Sequence, residues 1–500
     1  MSQFGERRIF YNNFAEHLLN RFNPNMTYPE KAYRWSDSDW CGMMNMVADC
    51  GFNIFEFWLV PRLFCREALD SEYGKEFVRQ IRVAADAAHK RGIKIEALCC
   101  LVTVGTDWKS YCPNCPEEWE EIRYLWKSWA ERLDFVDIFS IFPGDPGCCS
   151  RNGCDAITYI DKSIEITHLI KSVRPNAEFD FNTWGPPFFG WGILKGPEGW
   201  QGEFLQDYQA SAWEFHADRC RKSMEYLVNH AEDFAKPCSI SINLGFNPDG
   251  IPRGDEDGRP WAKRLAEKVP VQTWDFSLTE GENGIFPHYR FKRLFEQRKK
   301  ERAVGCYSGG ICYTMTPFLN SLSFYESAKS FMNPDADENR IAREFYNKVF
   351  GNGAEELVED LILFEIVPEW GNHVKLEISR EEYHKRMMRF TERAAAWEGK
   401  LNGSFKIYPS AEYHRAELEF FGGIFRDLSA DNPDFDSIAK RYWDHVYAIY
   451  DTLPEHVDPR PKMAVKRLIG FFRDWLTTGK PFFSDDSAIL GAWVRQIMEE

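Results

Sequence analysis

The sequence predicts an α/β fold: a (β/α)8 TIM barrel followed by an all-helical C-terminal domain. Three observations predict it. From residue 8 to about residue 329, short β-type apolar runs alternate with helical patterns, the signature of parallel strands joined by helical crossovers. Eight such runs occur before the alternation stops, the number that closes a parallel barrel. The chain has 500 residues, against roughly 250 for a complete barrel, which leaves a second domain to be accounted for.

The eight runs are residues 9–13 (IFYNN), 53–60 (NIFEFWLV), 93–104 (IKIEALCCLVTV), 136–142 (VDIFSIF), 177–183 (AEFDFNT), 238–244 (CSISINL), 271–276 (VQTWDF) and 305–315 (GCYSGGICYTM). Amphipathic helices lie between them. Residues 73–91 carry Phe77, Ile81, Ala84, Ala85 and Ala88 at helical spacing, and Gly92 follows where a helix-ending glycine belongs. Ser36, with Asp39 three residues on, opens the helix before the second run as a near capping box, and Cys50-Gly51 closes it. After Asn333-Pro334-Asp335 only long helical patterns remain, over residues 338–350, 380–401, 410–428, 436–453 and 461–477. The expected domains are a catalytic barrel at 1–333 and a helical bundle at 334–500 that buttresses it.

Composition narrows the function. Lys plus Arg number 61 against 77 Asp plus Glu, a net charge of −16, which disfavours nucleic acid and anionic membrane surfaces as partners. Residues 1–14 (MSQFGERRIFYNNF) carry charges where a secretory signal needs a continuous apolar stretch, and no later stretch reaches transmembrane length. The expected location is the cytoplasm, where the 14 Cys are read as reduced thiols rather than a disulfide scaffold. Association into a homo-oligomer is compatible with the sequence. Aromatic residues make up 16% of the chain, many of the 18 Trp beside Gly, Pro and Asn; such rings either fill the core or stack on a ligand.

A barrel enzyme builds its site at and just after the C-terminal ends of its strands. Asp145 stands in FPGDPG directly after the fourth run, where glycine and proline hold one carboxylate at the mouth. Its catalytic role competes with that of a turn-stabilising Asp. The seventh run leads into WDFSLTEGEN, so Glu280, Asp275 and Glu282, in that order of preference, offer a second carboxylate. Glycosidic hydrolysis needs such a pair, one protonated towards the leaving oxygen and one ionised as nucleophile or base. Glu56 and Asp180 are the alternative partners. The loop NTWGPPFFGW adds Asn182 and Trp184 among further aromatics, a lining suited to the C–H faces and hydroxyls of sugars. Substrate contacts are further expected from Glu56, Trp58, Arg62, Asp180, Asn243, Glu282, His288, Arg290, Tyr313 and Asn320, with His288, Arg290 and Arg62 suited to an acidic sugar.

Cys112-Pro-Asn-Cys115 and Cys148-Cys149 with Cys154 follow the third and fourth runs, which are adjacent in a barrel. Cys112, Cys115, Cys149 and Cys154 could bind structural zinc, the alternative being free or loop-packing thiols. No catalytic metal or other cofactor is expected, and there is no GxSxG elbow, phosphate-cradling glycine loop or HExxH zinc helix.

The segments FPGDPG with its following cysteines, CPNCPEEW, and FYESAKSFMNPDADENRIAREFYNKVFG resemble a loose group of barrel glycosidases. That group includes α-glucuronidases, β-N-acetylhexosaminidases and endo-β-N-acetylglucosaminidases of complex N-glycans, and the resemblance covers residues 50 to 351. It implies a barrel hydrolase acting on oligosaccharides through paired carboxylates. The sequence departs from the group in two ways. The first run begins within ten residues of the start, so the extra N-terminal α/β domain common in the group is not expected. Where hexosaminidases carry an Asp-Glu pair after the fourth strand, this chain has Asp145-Pro146, which suits an inverting mechanism between Asp145 and a more distant carboxylate better than acetamide assistance. The leading expectation is an exo-acting glycoside hydrolase on oligosaccharides carrying N-acetylhexosamine or acidic sugars such as hexuronic or sialic acid. A metal-dependent sugar isomerase or epimerase and a non-catalytic carbohydrate-binding barrel are the alternatives.

Overall fold

The structure is a computed structural model that describes residues 4–11, 35–105, 109–143, 149, 151–183, 222–242, 259–275, 291–306, 309–314, 321–360, 380–397 and most of 401–444. Eight parallel strands close into a barrel: β1 Glu6–Tyr11, β2 Ile54–Leu59, β3 Lys94–Cys100, β4 Ile138–Phe142, β5 Glu178–Asn182, β6 Cys238–Ile242, β7 Val271–Asp275 and β8 Gly309–Thr314. Each strand pairs with its neighbours in chain order, and β8 returns to β1. The helices that follow them are α1 Asp37–Cys50, α2 Glu72–His89, α3 Pro116–Arg132, α4 Ala156–Val173, α5 at 222–230, α6 Arg259–Ala266, α7 Phe291–Ala303 and α8 Ser321–Met332. Then come α9 Glu338–Phe350, α10 Arg380–Ala396 and α11 Ala411–Leu428, with no strand among the described residues after β8. The predicted 436–453 helix is described only in its first residues, and 461–477 lies outside the described residues. No described helix is long and apolar enough to cross a membrane.

Local chemistry explains these elements. Ser36 caps α1 with the reciprocal Asp39 bond of a capping box, and Gly51 ends it at φ 113°, a left-handed conformation that glycine adopts without strain. Ser71 caps α2 by accepting from the Gly74 amide at 2.9 Å, and Phe77, Ile81, Ala84, Ala85 and Ala88 form its buried stripe. Strands such as β2 and β4 are buried at every residue, as a parallel sheet covered by helices requires.

Three strand boundaries differ from the sequence expectation by three residues or more. β1 starts at Glu6 rather than residue 9, because the charged side chain of Arg8 points into the barrel and pairs there. The 93–104 run divides: β3 ends at Cys100, and Thr103–Val104 turns away to pair with Lys109–Ser110 as a small antiparallel hairpin. β8 begins at Gly309, four residues into its predicted run. A Cβ on Gly309 would lie 2.2 Å from the Glu6 carbonyl oxygen, so the β1–β8 seam closes through a bare backbone. Gly309→Ala is expected to cost about 1–3 kcal/mol by overpacking that seam, read as a lowered urea midpoint at unchanged slope.

Contacts divide the chain into two compact units, Met1–Phe10 with Phe52–Asp275 and Lys299–Cys312, and Tyr11–Gly51 with Phe276–Arg298 and Tyr313–Glu500. The first holds the body of the barrel, with Trp126, Trp129 and Tyr159 among its largest buried side chains. The second is mostly helical among its described residues, and Tyr325, Phe345 and Phe405 meet there in tilted and edge-on contacts with ring centres 5.1 to 6.2 Å apart.

Candidate active site

Helix side chains pin the C-terminal strand ends where reactive groups of this fold stand. Trp126 of α3 donates its indole N–H to the Leu101 carbonyl just beyond β3, at 3.1 Å. Tyr159 of α4 shares its hydroxyl proton between the Ile141 carbonyl of β4 and the Asn182 carbonyl that ends β5, at 3.2 and 3.3 Å. Trp58 of β2 is buried and meets Phe142, the last residue of β4, edge-on with ring centres 5.9 Å apart.

Below that level a charged layer crosses the barrel. Arg8, Glu56, Glu96, Ser140 and Asp180 are the third residues of β1 to β5, and all five are buried. Arg8 donates to Glu96 on β3, to Gln272 on β7 and, at 2.9 Å, to Glu6. Since β3 and β7 are not neighbours of β1, two of those bonds span the interior. Asp180 accepts from Ser140 at 3.0 Å, from Ser239 and Ser241 at 2.9 Å, and from Gln272.

One guanidinium thus faces three interior carboxyl groups, and their protonation follows from that imbalance. Burial opposes the charge on Arg8, but Glu96, Glu6 and Asp180 outweigh it and keep the guanidinium ionised. Burial raises the pKa of Asp180 and of Glu96, although Arg8 pulls both back. Glu56 is raised by burial, then by repulsion from Glu96 and Asp180, with Arg8 offsetting only part. Neither Glu56 oxygen has a hydrogen-bond partner among the described residues, so nothing there offsets the push of burial and neighbouring carboxyls towards its neutral form.

That assignment has a signed consequence. A carboxyl whose pKa is raised on folding contributes stability that is full below its unfolded value, about 4.3, and is lost as pH rises towards the folded value. Glu56→Gln removes this loss. The variant is expected to match wild type below pH ~4 and to gain on it by up to about 1.4 kcal/mol per pH unit above that. Urea unfolding from pH 4 to 8 measures the difference; a constant offset would mean Glu56 does not titrate in this range.

The structure places the sequence-predicted residues unevenly. Glu56 and Asp180 lie in the buried layer, short of the strand ends, and the four donors on Asp180 occupy it as a structural acceptor. Asn182 ends β5 and is buried, while Arg62 is exposed in the loop after β2. Asp275 is the last residue of β7 and Tyr313 lies in β8, their side chains being outside the description. Asp145, Glu280, Trp184, Asn243, Glu282, His288, Arg290 and Asn320 lie outside the described residues. A cavity of about 340 Å³ between the loops after β2 and β3, bordered by Arg66, Lys109, Tyr111 and Glu121, contains none of the predicted residues. Sequence reasoning passed over Arg8, Glu96 and Gln272. The available signal is a charged residue within a β-type run, as Glu96 in IKIEAL.

The predicted cysteine group does assemble. The sulfurs of Cys112, Cys149 and Cys154 lie within 4.8 Å of one another, all three residues are buried, and the set can hold a metal ion. Cys115 packs against them.

No family model matches this sequence, and no curated protein matches it. Solved structures do match in fold. One is a GH138 enzyme targeting pectin rhamnogalacturonan II, at 10% identity and TM-score 0.53, over 95% of this chain and 67% of that one. Another is CpGH89 from Clostridium perfringens, in complex with its substrate GlcNAc-alpha-1,4-galactose, at 12% identity and TM-score 0.53. There the match covers 97% of this chain and 60% of the other, so this chain spans about three fifths of that enzyme's length. At such identities the likeness establishes the barrel fold.

Proposed function

We propose that this chain is a glycoside hydrolase, exo-acting on oligosaccharides that carry N-acetylhexosamine or acidic sugars, with Asp145 and a carboxylate after β7 as its acid/base pair. The observation that carries the reading is topological. β4 ends at Phe142, three residues before Asp145, and β7 ends on Asp275, five residues before Glu280. In the ring of eight, β4 and β7 are three positions apart, with β5 and β6 between them, so the segments that carry these acids leave from well-separated strand ends. An inverting displacement needs about 6.5–9.5 Å between its two carboxyl groups to admit the attacking water. In this reading Asp145 protonates the leaving oxygen, while Glu280 or Asp275 takes a proton from the water.

The saccharides named for the GH138 enzyme and for CpGH89 support an oligosaccharide substrate by analogy of fold. Trp184 and Asn182 supply the stacking and amide contacts, and Arg62, His288 and Arg290 favour an acidic ring. The test is release of the aglycone from aryl N-acetylhexosaminides, hexuronides and sialosides. Steady release from one class is expected. Sugar binding without product over long incubation would instead support a binding barrel, and sugar interconversion abolished by a chelator would support an isomerase.

A further inference from the structure

The loops that follow β3 and β4 are joined by more than packing. After β3, Cys112 and Cys115 bracket a turn closed by the Cys115 amide on the Cys112 carbonyl at 3.0 Å, and Cys115 then caps α3. After β4, the chain from Cys149 to Cys154 folds over a turn at Arg151–Gly153, with Asn152 at φ 52° and Gly153 at φ 71°. The Cys154 amide returns to the Arg151 carbonyl at 3.0 Å. This curl points both of its thiols at Cys112, whose sulfur lies 3.6 Å from that of Cys154.

The spacing suits a metal ion rather than a disulfide. Tetrahedral zinc at about 2.3 Å from each thiolate sets its sulfurs about 3.8 Å apart, whereas a disulfide needs about 2.05 Å. N–H groups already face the sulfurs, as they do around metal-bound thiolates. The Arg151 amide donates to Cys149 at 3.2 Å, and the Asn152 side-chain amide donates to Cys112 at 3.4 Å. The surrounding frame is tied independently: Arg151 bridges Glu118 at the start of α3, at 2.6 Å, and the Ser110 carbonyl, at 3.2 Å.

We propose that Cys112, Cys149 and Cys154, completed by Cys115, bind one zinc ion that staples the β3 loop to the β4 loop. Cys115, in contact with the trio and half-buried, supplies the fourth thiolate by a rotation away from Glu117, to which its sulfur now donates at 3.3 Å. The ion is structural, because four thiolates leave no open position for substrate. Its place in the chain matters to the barrel mouth, since Cys149 follows Asp145 by four residues.

The experiment is metal analysis of the full chain purified under reducing conditions, with cobalt(II) replacing zinc as a spectroscopic probe. About one zinc per chain is expected, and the cobalt form should show the intense thiolate charge-transfer and tetrahedral d–d bands of a four-sulfur site. Cys112→Ser and Cys154→Ser should lose the metal, Cys115→Ser should retain it with altered cobalt bands, and Cys41→Ser, at an exposed cysteine, should change nothing. Absence of both zinc and cobalt bands from the reduced wild type would overturn the proposal without depending on any variant folding. So would a Cys112–Cys154 disulfide found by mass mapping. The readout is metal content, so it stands or falls separately from the glycosidase reading.

Discussion

Under the proposed hydrolase mechanism, Asp145→Asn should reduce kcat on an oligosaccharide substrate by about 10²–10⁴-fold, the range a positioned general acid contributes, or about 2.7–5.4 kcal/mol of barrier. Asparagine preserves size and one hydrogen-bonding oxygen, so KM should hold while the proton transfer is lost. The effect should depend on the leaving group. A nitrophenolate departs with little protonation, and its release should suffer far less than release of a sugar alcohol. Kinetics of both substrates with both enzymes make the comparison. Undiminished turnover of the oligosaccharide by the variant would remove Asp145 from the mechanism, and an equal loss on the two leaving groups would assign it a role other than acid.

Arg8→Met should destabilise the folded chain by about 3–5 kcal/mol, the cost of breaking a buried ion pair from one side. Arg8 is the cation that three interior carboxyl groups share, and it holds Glu96 and Gln272 across the barrel. Without it Glu96, which burial already raises to about 8 beside Arg8, is pushed further up, so the deficit should grow as pH approaches and passes that value. The double variant Arg8→Met with Glu96→Leu should recover most of the loss, because apolar replacement of both partners of a buried pair is often close to neutral. Equal instability of the single and double variants would contradict the account, as would a single-variant loss below about 1 kcal/mol. Chemical denaturation at pH 5 and pH 9 provides the numbers.

The legibility of this protein divides by the range of the interactions involved. All eight runs became strands of the closed barrel, and the predicted 338–350 helix was found at Glu338–Phe350, because apolar periodicity and capping act over a few residues. The Ser36–Asp39 capping box was readable for the same reason. The cysteine group was readable by a longer route: counting strands made its two halves neighbours, and β3 does pair with β4. The carboxylates were read less well. Glu56 and Asp180 are recognisable as strand acids, yet no local pattern tells a mid-strand acid from one at the mouth.

Chain-local chemistry accounts for the order of elements, the ring they close, and the strand ends that Asp145 and Glu280 follow and Asp275 completes. Which charges meet depends instead on the closed fold. Arg8 and Gln272 are separated by 264 positions, and their bond exists because barrel closure turns the third residue of β1 and the second of β7 to a common interior. In that dry interior one guanidinium must be shared among three carboxyl groups, and electrostatics then pushes Glu56 towards its neutral form. No window of sequence contains that sum, since its terms come from strands far apart in the chain.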